Sequence, residues 1–383
     1  MKIAMFTDSY HPTVDGAVVS MERQCAGLEA RGHEIVVIAP DAPGRQGGRW
    51  PVHYLPSIEF RSYRGYRIVV SPSDMLEYLR GENVDIIHCH GLASMAILSL
   101  TAARAMRLPS VLTFHTMANE AVKYYSFFRF REDLLVPLVW TYLRNLLRRP
   151  DTVIFPSEPV RREIVDHGVT FKSDFVIPTG VDCSAFAPAN RDESLLSRYG
   201  LDGKRVILHV GRLSKEKRMD VVLRAMADLK REDKDLRLLV VGSGPAEQEY
   251  KNLARDIGLA EEVVFAGFVP DDILAKAYAT CEIVVLASTF ETQGLVILEA
   301  MASGTPVAGM RCRAIPEFVE DGHNGTLFDE DSCADGIRRC LRSVDALGAN
   351  ALETARNHST DAYVLELEAA YEKAKAVKAA AQT

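Results

Sequence analysis

Two successive series of short apolar segments, separated by segments with apolar residues at helical spacing, constrain the fold of this chain more than any other feature. The first series predicts strands at Lys2–Thr7, Glu34–Ala39, Asp85–Cys89, Ser110–Phe114 and Thr152–Phe155. The second series predicts strands at Arg205–Val210, Leu236–Val241, Val263–Ala266, Ile283–Leu286 and Pro306–Ala308. Continuous apolar strands that alternate with helices are typical of parallel sheets buried on both faces. The sequence therefore predicts an α/β protein of two doubly wound units in series.

The length of the chain agrees with two domains, because 383 residues exceed the usual size of one. We place the first domain at residues 1–178 and the second at 179–358. Residues 359–383 are rich in Ala, Glu and Lys and predict one helix, which we expect to return to the first domain. Residues 41–67, rich in Gly, Pro, Arg and Tyr, are predicted to form an irregular insertion.

The composition narrows the class of protein. Apolar residues make up 48% of the chain and charged residues 25%, and a net charge of -7 argues against nucleic acid as the main partner. Seven cysteines lie far apart without a Cys-x-x-Cys pair, so we expect reduced thiols and no zinc site. The chain shows no secretory pattern and no apolar stretch long enough to span a bilayer, so we expect a cytoplasmic protein.

The segment FETQGLVILEAMASGTP at residues 290–306 is the strongest functional signal. It follows a predicted strand as a loop and starts a helix near Gly294, where free N–H groups and a partial positive charge suit a phosphate. Glu291 precedes this start, and Glu299 lies about 7.5 Å along the helix axis from Gly294. The two carboxylates can therefore serve a sugar and a ribose on either side of a diphosphate. The alternative is one ordinary exposed acid and one acid on a helix face.

The second signal is the loop GRLSKEKRMD at residues 211–220, directly after a predicted strand. In open α/β sheets ligands bind beyond the carboxyl ends of strands, and Arg212 and Lys217 stand at such an end. Two fixed cations there stabilise a departing diphosphate, because its negative charge grows in the transition state. Lys215 and Arg218 are expected to be solvated. Basic loops are also common at strand ends without a ligand, so this signal alone leaves the function open.

Together these two segments resemble the retaining glycosyltransferases of family 4. Such enzymes have the GT-B fold, in which two doubly wound, Rossmann-like domains face each other across a cleft. The resemblance extends over nearly the whole chain, through TDSYHP at residues 7–12, Asp15-Gly16, TFHT at 113–116 and IPE at 315–317. The segment Cys312-Arg313-Ala314 departs from the family pattern, which usually has glycine there.

The resemblance implies a role for each matching position. Glu291 is expected to contact the donor sugar, Arg212 and Lys217 the diphosphate, and His115 the transferred sugar near the acceptor. The other donor-binding residues that it implies are Gly16, Gly242, Phe268, Val269, Thr292, Gln293, Gly294, Leu295, Val296 and Glu299. A lone histidine is otherwise more often structural. The resemblance also implies front-face transfer with retention, in which the donor's own phosphate oxygen takes the acceptor proton. Because the positive charges described above can neutralise the leaving group without magnesium, we predict no metal requirement and no cofactor.

Two further patterns have the residue types of a metal site, but their surroundings argue against one. Asp233-Lys234-Asp235 is a D-x-D triplet, but it precedes a predicted strand instead of following one, so we predict a solvated turn. His88 and His90 flank Cys89 at a strand end, and no further metal ligand is identifiable beside them. We therefore predict that both histidines line the core or the cleft.

Basic and aromatic residues concentrate in residues 61–67 and 121–150 of this otherwise acidic chain, a mixture that suits an anionic membrane surface. The residues predicted to face the acceptor or the membrane are Tyr124, Tyr125, Phe128, Arg129, Arg131 and Trp140. The alternative is a buried helix at residues 134–142 with solvated arginines. The segment TFHTMANEAVKYY at residues 113–125 and the ETQG motif are most similar to the diacylglycerol glucosyltransferases of the family. That likeness implies UDP-glucose as donor, a lipid acceptor and peripheral attachment to the inner membrane face.

Three other functions stay open. One is the same chemistry on a soluble sugar, sugar phosphate or glycan, with GDP-mannose or another nucleotide sugar as donor. The second is a nucleotide-sugar epimerase, against which the ETQG motif and Glu299 argue. The third is a non-catalytic regulator that binds nucleotide sugars, against which the joint presence of the predicted catalytic residues argues.

Overall fold

The computed structural model describes residues 1–13, 16–45, 48–59, 67–72, 74–115 and 132–382, without the side chains of 132–135. Its strands are β1 Lys2–Phe6, β2 Glu34–Pro40, β3 Val52–Leu55, β4 Ser57–Glu59, β5 Arg67–Val69, β6 Ile86–Cys89, β7 Ser110–Thr113, β8 Thr152–Phe155, β9 Asp174–Val176, β10 Arg205–Val210, β11 Leu236–Val241, β12 Val263–Gly267, β13 Ile283–Leu286, β14 Val307–Met310 and β15 Gly325–Phe328.

The α-helices are Gly16–Ala30, Met75–Gly81, Ser94–Met106, Glu132–Leu147, Glu158–Asp166, Ser194–Arg198, Met219–Leu229, Glu247–Asp256, Asp271–Thr280, Leu295–Ala302, Ile315–Phe318, Cys333–Leu341, Val344–Asn357 and Thr360–Ala380. Short 3₁₀ turns are found at Pro188–Asn190, Lys215–Lys217 and Glu330–Ser332. Among these described helices, none combines the length and the hydropathy that crossing a bilayer requires.

The chain forms two compact units. Unit 1 consists of Met1–Thr179 with Asp361–Thr383, and unit 2 consists of Gly180–Thr360. The predicted domain divisions, after residues 178 and 358, fall one and two residues from these bounds.

Unit 1 is built on a parallel sheet with the strand order β3-β2-β1-β6-β7-β8-β9. Successive strands are added on one side of β1 as far as β3, and the chain then crosses to the other side at β6. The loops after β1 and β6 therefore diverge at the carboxyl edge of the sheet, which is the point where doubly wound folds bind ligands. A separate antiparallel pair, β4 and β5, joins Ile58 to Ile68 in register.

Unit 2 repeats this plan with the order β12-β11-β10-β13-β14-β15, again all parallel. Counted within the unit, this is the 3-2-1-4-5-6 order of a Rossmann fold. Its reversal point lies between β10 and β13, whose paired residues include Ile207 with Ile283. The two loops that carry the predicted diphosphate site follow these two strands. The fold class predicted from the sequence is confirmed.

The carboxyl-terminal helix Thr360–Ala380 completes the core of unit 1. One face of it buries six residues against the sheet and the first helix: Tyr363, Val364, Leu367, Ala370, Tyr371 and Ala374. Burial of each large side chain contributes roughly 1.5–3 kcal/mol. At the edge of this contact Glu368 accepts hydrogen bonds from Arg31 at 2.8 and 2.9 Å and contacts His33 at 2.8 Å.

The structure corrects one prediction about secondary structure. Residues 41–67 are not wholly irregular, because β3 extends the main sheet beside β2 and β4 pairs with β5 within and just after this segment. These strands have only three or four residues each. β4 and β5 each contain a charged residue and β3 contains a histidine, so no continuous apolar pattern predicts them.

Candidate functional site

The reversal point of unit 2 brings two predicted site residues into contact. Lys217, in the loop after β10, donates a hydrogen bond to Glu291, in the loop after β13, over 3.1 Å between Nζ and Oε2. The backbones of the two loops are also joined, because Thr289 N–H donates to the Glu216 carbonyl at 3.0 Å. Residues that are 74 positions apart in sequence thus form one polar site.

Glu291 is held as a carboxylate in largely buried surroundings. The exposed fractions of the Lys217 and Glu291 side chains are 22% and 14%. Burial alone would raise the pKa of Glu291, but the Lys217 ammonium and the N–H groups of Gly294 and Gln293 outweigh it, so this pKa lies below its usual value. Glu291 is therefore ionised at neutral pH, and both of its carboxylate oxygens can only accept hydrogen bonds.

The other cations of the basic loop differ in their partners. Arg218 pairs with Asp220 at 3.1 Å and with Glu330, and Lys215 approaches Glu249 at 3.5 Å. Arg218 is thus part of an ion-pair network. The prediction from the sequence that it is solvated is wrong. Arg212 is exposed and makes no side-chain hydrogen bond or ion pair with any residue that the structure describes. It is available to a ligand.

The helix Leu295–Ala302 begins directly beside the Lys217–Glu291 pair. Gly294 caps it with φ of +68°, and a Cβ atom there would lie 2.4 Å from the Phe318 ring, so both backbone conformation and space require glycine. The first turn of this helix contains no acidic residue. Its free N–H groups accordingly present a partial positive charge to a phosphate. The predicted residues Thr292, Leu295 and Val296 are partly buried at this start, and Gln293 is buried.

Glu299 is held separately from Glu291. It is buried one turn into the helix, where the Tyr278 hydroxyl donates a hydrogen bond to Oε2 at 3.0 Å. Tyr278 is fully buried in the helix Asp271–Thr280. Sequence reasoning missed this tyrosine, because in the segment ILAKAYAT it has the appearance of an ordinary core residue. Its hydroxyl orients one of the two predicted acids.

The loops after β11 and β12 pack closely on the basic loop. Gly242 has φ of +125°, and a Cβ atom would lie 2.0 Å from the Gly211 carbonyl oxygen. Its N–H donates to Gly267 at 2.8 Å. Of the two predicted residues that follow β12, Phe268 has 83% of its surface exposed, whereas Val269 is buried. Phe268 can therefore offer its ring to a ligand, while the Val269 side chain belongs to the core.

In unit 1, Asp8 holds the loops at the reversal point together through hydrogen bonds. In the sequence this residue has no predicted role of its own and is only part of the segment TDSYHP. Its carboxylate accepts the N–H groups of Ala93 at 2.8 Å and Met95 at 3.0 Å, at the start of the helix Ser94–Met106. A Cβ atom at Gly91 would lie 2.1 Å from the Asp8 carboxylate. Asp8 therefore fixes the turn after β6. Gly16, the predicted phosphate-approaching glycine, is the first residue of the helix Gly16–Ala30.

His115 lies just beyond β7 in unit 1 and is partly buried. Its Nε2 lies 2.9 Å from Nδ1 of His90, which follows β6 and is buried. His88 lies deeper, between the Tyr371 hydroxyl at 2.8 Å and the Thr113 hydroxyl at 2.7 Å. Burial lowers the pKa of His88 to about 3, and burial with the neighbouring imidazoles lowers the pKa of His90 well below its usual value. Both histidines are neutral at physiological pH.

The predicted acceptor residues divide into two groups. Tyr124, Tyr125, Phe128, Arg129 and Arg131 lie outside the described residues. Trp140 was predicted to face a membrane, but this prediction is wrong: the residue is only 4% exposed, and its ring stacks on His167 with a centroid distance of 3.6 Å. The apolar face of the helix Glu132–Leu147 holds the indole in the core.

The carboxylates of the D-x-D triplet are engaged in ion pairs at the amino-terminal edge of the unit 2 sheet. Asp233 pairs with Arg205 at 2.9 Å and Asp235 with Lys204 at 2.6 Å. This is the edge opposite to the Lys217–Glu291 pair. Among the described residues, no group of three His, Cys, Asp or Glu side chains is arranged to hold a metal ion.

Comparisons with known proteins agree with this architecture. The family profile "Glycosyltransferase Family 4" matches residues 14–185, and the profile "Glycosyl transferases group 1" matches residues 193–357. The chain is 32% identical over 361 residues to an α-monoglucosyldiacylglycerol synthase of Streptococcus pneumoniae, covering 92% of this chain and 81% of the relative. It is 31% identical over 339 residues to a GDP-mannose-dependent α-mannosyltransferase of Mycolicibacterium smegmatis, covering 86% of this chain and 85% of that one.

Among solved structures, the Anabaena protein HepE, crystallised with UDP and glucose, is similar over 96% of this chain and 98% of its own, with a TM-score of 0.75 and 21% identity. At this identity the likeness concerns the fold. The two profiles, the long alignments to hexosyltransferases and the two Rossmann-like units together show that this chain is a hexosyltransferase of GT-B fold that belongs to glycosyltransferase family 4.

Proposed function

We propose that this enzyme transfers glucose from UDP-glucose to a membrane lipid such as diacylglycerol, with retention of the anomeric configuration. The similarity to the α-monoglucosyldiacylglycerol synthase carries this proposal, because it extends over 92% of the chain. The names of this relative and of the mannosyltransferase both specify α-linked products. UDP-glucose and GDP-mannose are themselves α-linked, so an α-linked product means retention.

On the donor side, the proposal places the diphosphate at the start of the helix Leu295–Ala302. Arg212 and Lys217 lie on the loop beside this start, and both would balance the charge that the diphosphate gains as the sugar departs. Glu291 would accept hydrogen bonds from the sugar, and Glu299, oriented by Tyr278, would serve the ribose. The proposal requires no cofactor and no metal, since the protein supplies the positive charge.

A lipid acceptor is supported by an apolar face on unit 1, defined by Ile58, Ile68, Val70, Ile97 and Leu138. All five side chains are exposed, with Leu138 at 64% and Ile58 at 58%. Monomeric proteins rarely expose several large apolar side chains in one area without an interaction partner.

Hydrogen bonds connect the elements that carry this apolar face. Ile58 and Ile68 are opposite one another on β4 and β5. Val69 N–H donates to Ser94 Oγ at 3.2 Å, which ties β5 to the helix that carries Ile97. Tyr142, one turn beyond Leu138, donates from its hydroxyl to the Leu92 carbonyl just before that helix. These hydrogen bonds make the elements that carry the five side chains neighbours within unit 1. We propose that the apolar face attaches the enzyme peripherally to the inner face of a membrane.

Donor and acceptor are tested in one experiment with the purified enzyme. UDP-glucose and GDP-mannose are each supplied with diacylglycerol in mixed micelles, with a soluble monosaccharide or with no acceptor, and release of the nucleoside diphosphate is measured. We expect rapid release only for UDP-glucose with diacylglycerol, and an α-anomeric signal in the proton NMR spectrum of the glycolipid. A β-linked product, or turnover confined to soluble acceptors, would refute the proposal.

The second candidate is mannosyl transfer from GDP-mannose, which the 31% identity to the mannosyltransferase supports. The same assay distinguishes it, because it predicts release of GDP and no turnover of UDP-glucose.

A further inference from the structure

A hydrogen-bonded histidine pair lies at the carboxyl edge of the unit 1 sheet. In the parallel register of β6 and β7, Cys89 is the partner of Leu112. Two side-chain hydrogen bonds cross this strand pair with the same separation of 25 residues, from His88 to Thr113 and from His90 to His115. Because alternate residues of a strand point to the same side, both pairs belong to one row. The inner pair belongs to the core, and the outer pair ends at the predicted sugar-contacting histidine.

The surroundings of His90 determine which ring carries the shared proton. Both imidazoles of a neutral pair have one N–H, so across the 2.9 Å contact one nitrogen donates and the other accepts. The second nitrogen of His90, Nε2, is buried and has no hydrogen-bond partner among the described residues. A buried N–H without a partner is costlier and rarer than a buried lone pair without one. His90 therefore carries its proton on Nδ1, and that N–H donates to His115.

We propose that His90 is a positioning residue, which donates from Nδ1 to His115 Nε2 and thereby fixes the orientation of His115 and the tautomer with its proton on Nδ1. This inference rests on the proposed function, to which we add the role that the family resemblance implies for His115, contact with the transferred sugar. It adds that His115 takes part in the reaction as a hydrogen-bond donor and not as the base for the acceptor hydroxyl, because its Nε2 lone pair is already engaged. Front-face transfer needs no such base.

The first test replaces His90 by two residues of different hydrogen-bonding capacity. In His90→Asn the side-chain amide can place an N–H near the position of Nδ1, whereas His90→Leu fills similar space without a donor. We expect His90→Leu to lower kcat by about tenfold with little change in the donor KM, and His90→Asn to stay within about threefold of the wild type. His53→Leu, which removes a partly buried histidine that stacks on Tyr78 elsewhere in unit 1, serves as the matched control.

The second test separates positioning from a merely structural role. Since His90 acts through His115, the double variant His90→Leu/His115→Ala should be no slower than His115→Ala alone. Independent losses that multiply would overturn the inference. Long-range ¹H–¹⁵N NMR spectra of the histidine-labelled protein should show His115 protonated on Nδ1 in the wild type. A proton on its Nε2 would also overturn the inference.

The proposed function and the positioning by His90 fail under different results. A wild-type rate for a folded His115→Ala variant would remove the role of His115 from the proposed function itself. A slow His115→Ala together with a wild-type rate for His90→Leu would leave that role intact and overturn the positioning by His90 alone.

Discussion

At the residue scale, two cations of the basic loop after β10 differ in whether the protein itself pairs them. Lys217 neutralises Glu291 in a largely buried pair, whereas Arg212 is exposed and has no partner among the described residues. The first cation is needed in the free enzyme, because an unpaired buried carboxylate is costly. The second has no such function in the fold. The two positions should therefore respond differently to the same substitution.

We expect Arg212→Ala to lower turnover at least tenfold, equivalent to about 1.4 kcal/mol of barrier, and to change the free energy of unfolding by less than about 0.5 kcal/mol. Lys217→Ala should lower turnover as well, but also destabilise the fold by about 1–3 kcal/mol, because Glu291 loses its counter-charge. Steady-state kinetics and urea denaturation of both variants check this. Equal stability losses in the two variants would contradict the division of roles.

The Lys217 variant also has a pH signature. In the wild type the pKa of Glu291 is depressed in the folded state, so its contribution to stability is present above the usual glutamate pKa and is lost as the pH falls through the folded value. Without Lys217 this favourable contribution shrinks, because burial then dominates. The difference in unfolding free energy between wild type and Lys217→Ala should accordingly be larger at pH 7 than at pH 4.

At the scale of elements, the start of the helix Leu295–Ala302 depends on one glycine for two reasons. Gly294→Ala should cost about 1–2 kcal/mol for its left-handed backbone and a further 1–3 kcal/mol, roughly, for the overlap with Phe318. Gly258→Ala is the matched control, since Gly258 has φ of +76° but no atom within 4 Å of the added Cβ. In urea denaturation, the free energy of unfolding of Gly294→Ala should therefore be well below that of Gly258→Ala. Equal costs would show that Phe318 yields without penalty.

The elements also show what the sequence can predict. The central strands, such as β1, β10 and β13, are predictable because a buried parallel strand is apolar at nearly every position. The edge strands β3 and β15 lack this pattern, because β3 contains His53 and Tyr54 and β15 begins with Gly325-Thr326. The helix start at Gly294 is predictable as well, because a glycine between a polar loop and an apolar segment is typical of such a boundary.

At the scale of the whole molecule, sequence motifs identified the candidate site residues one by one. They did not identify most of the residues with which these side chains form hydrogen bonds. Glu291 and Glu299 lie on one segment, so the spacing within a motif relates them. Their partners Lys217 and Tyr278 come from other segments, which the fold places beside this one. The His90–His115 contact has the same origin, because it depends on β6 and β7 being neighbours. Isolated motifs therefore identify candidate groups, while the pairing, tautomer and charge state of these groups follow from topology.

The apolar face of unit 1 leads to a prediction about how the whole enzyme meets its acceptor. If Ile58 and Leu138 insert into a lipid surface, the double variant Ile58→Ser/Leu138→Ser should lose about tenfold in its partition onto phosphatidylglycerol-containing vesicles, measured by co-sedimentation. Leu365→Ser is the matched control, because Leu365 is also an exposed leucine of unit 1 but lies on the carboxyl-terminal helix. Binding of UDP-glucose in the absence of lipid should be the same in all three proteins, since none of these side chains belongs to the proposed diphosphate site. Equal partition of the double variant and the control would show that exposed leucine contributes to binding irrespective of its position, and the apolar face would then have no specific part in membrane attachment.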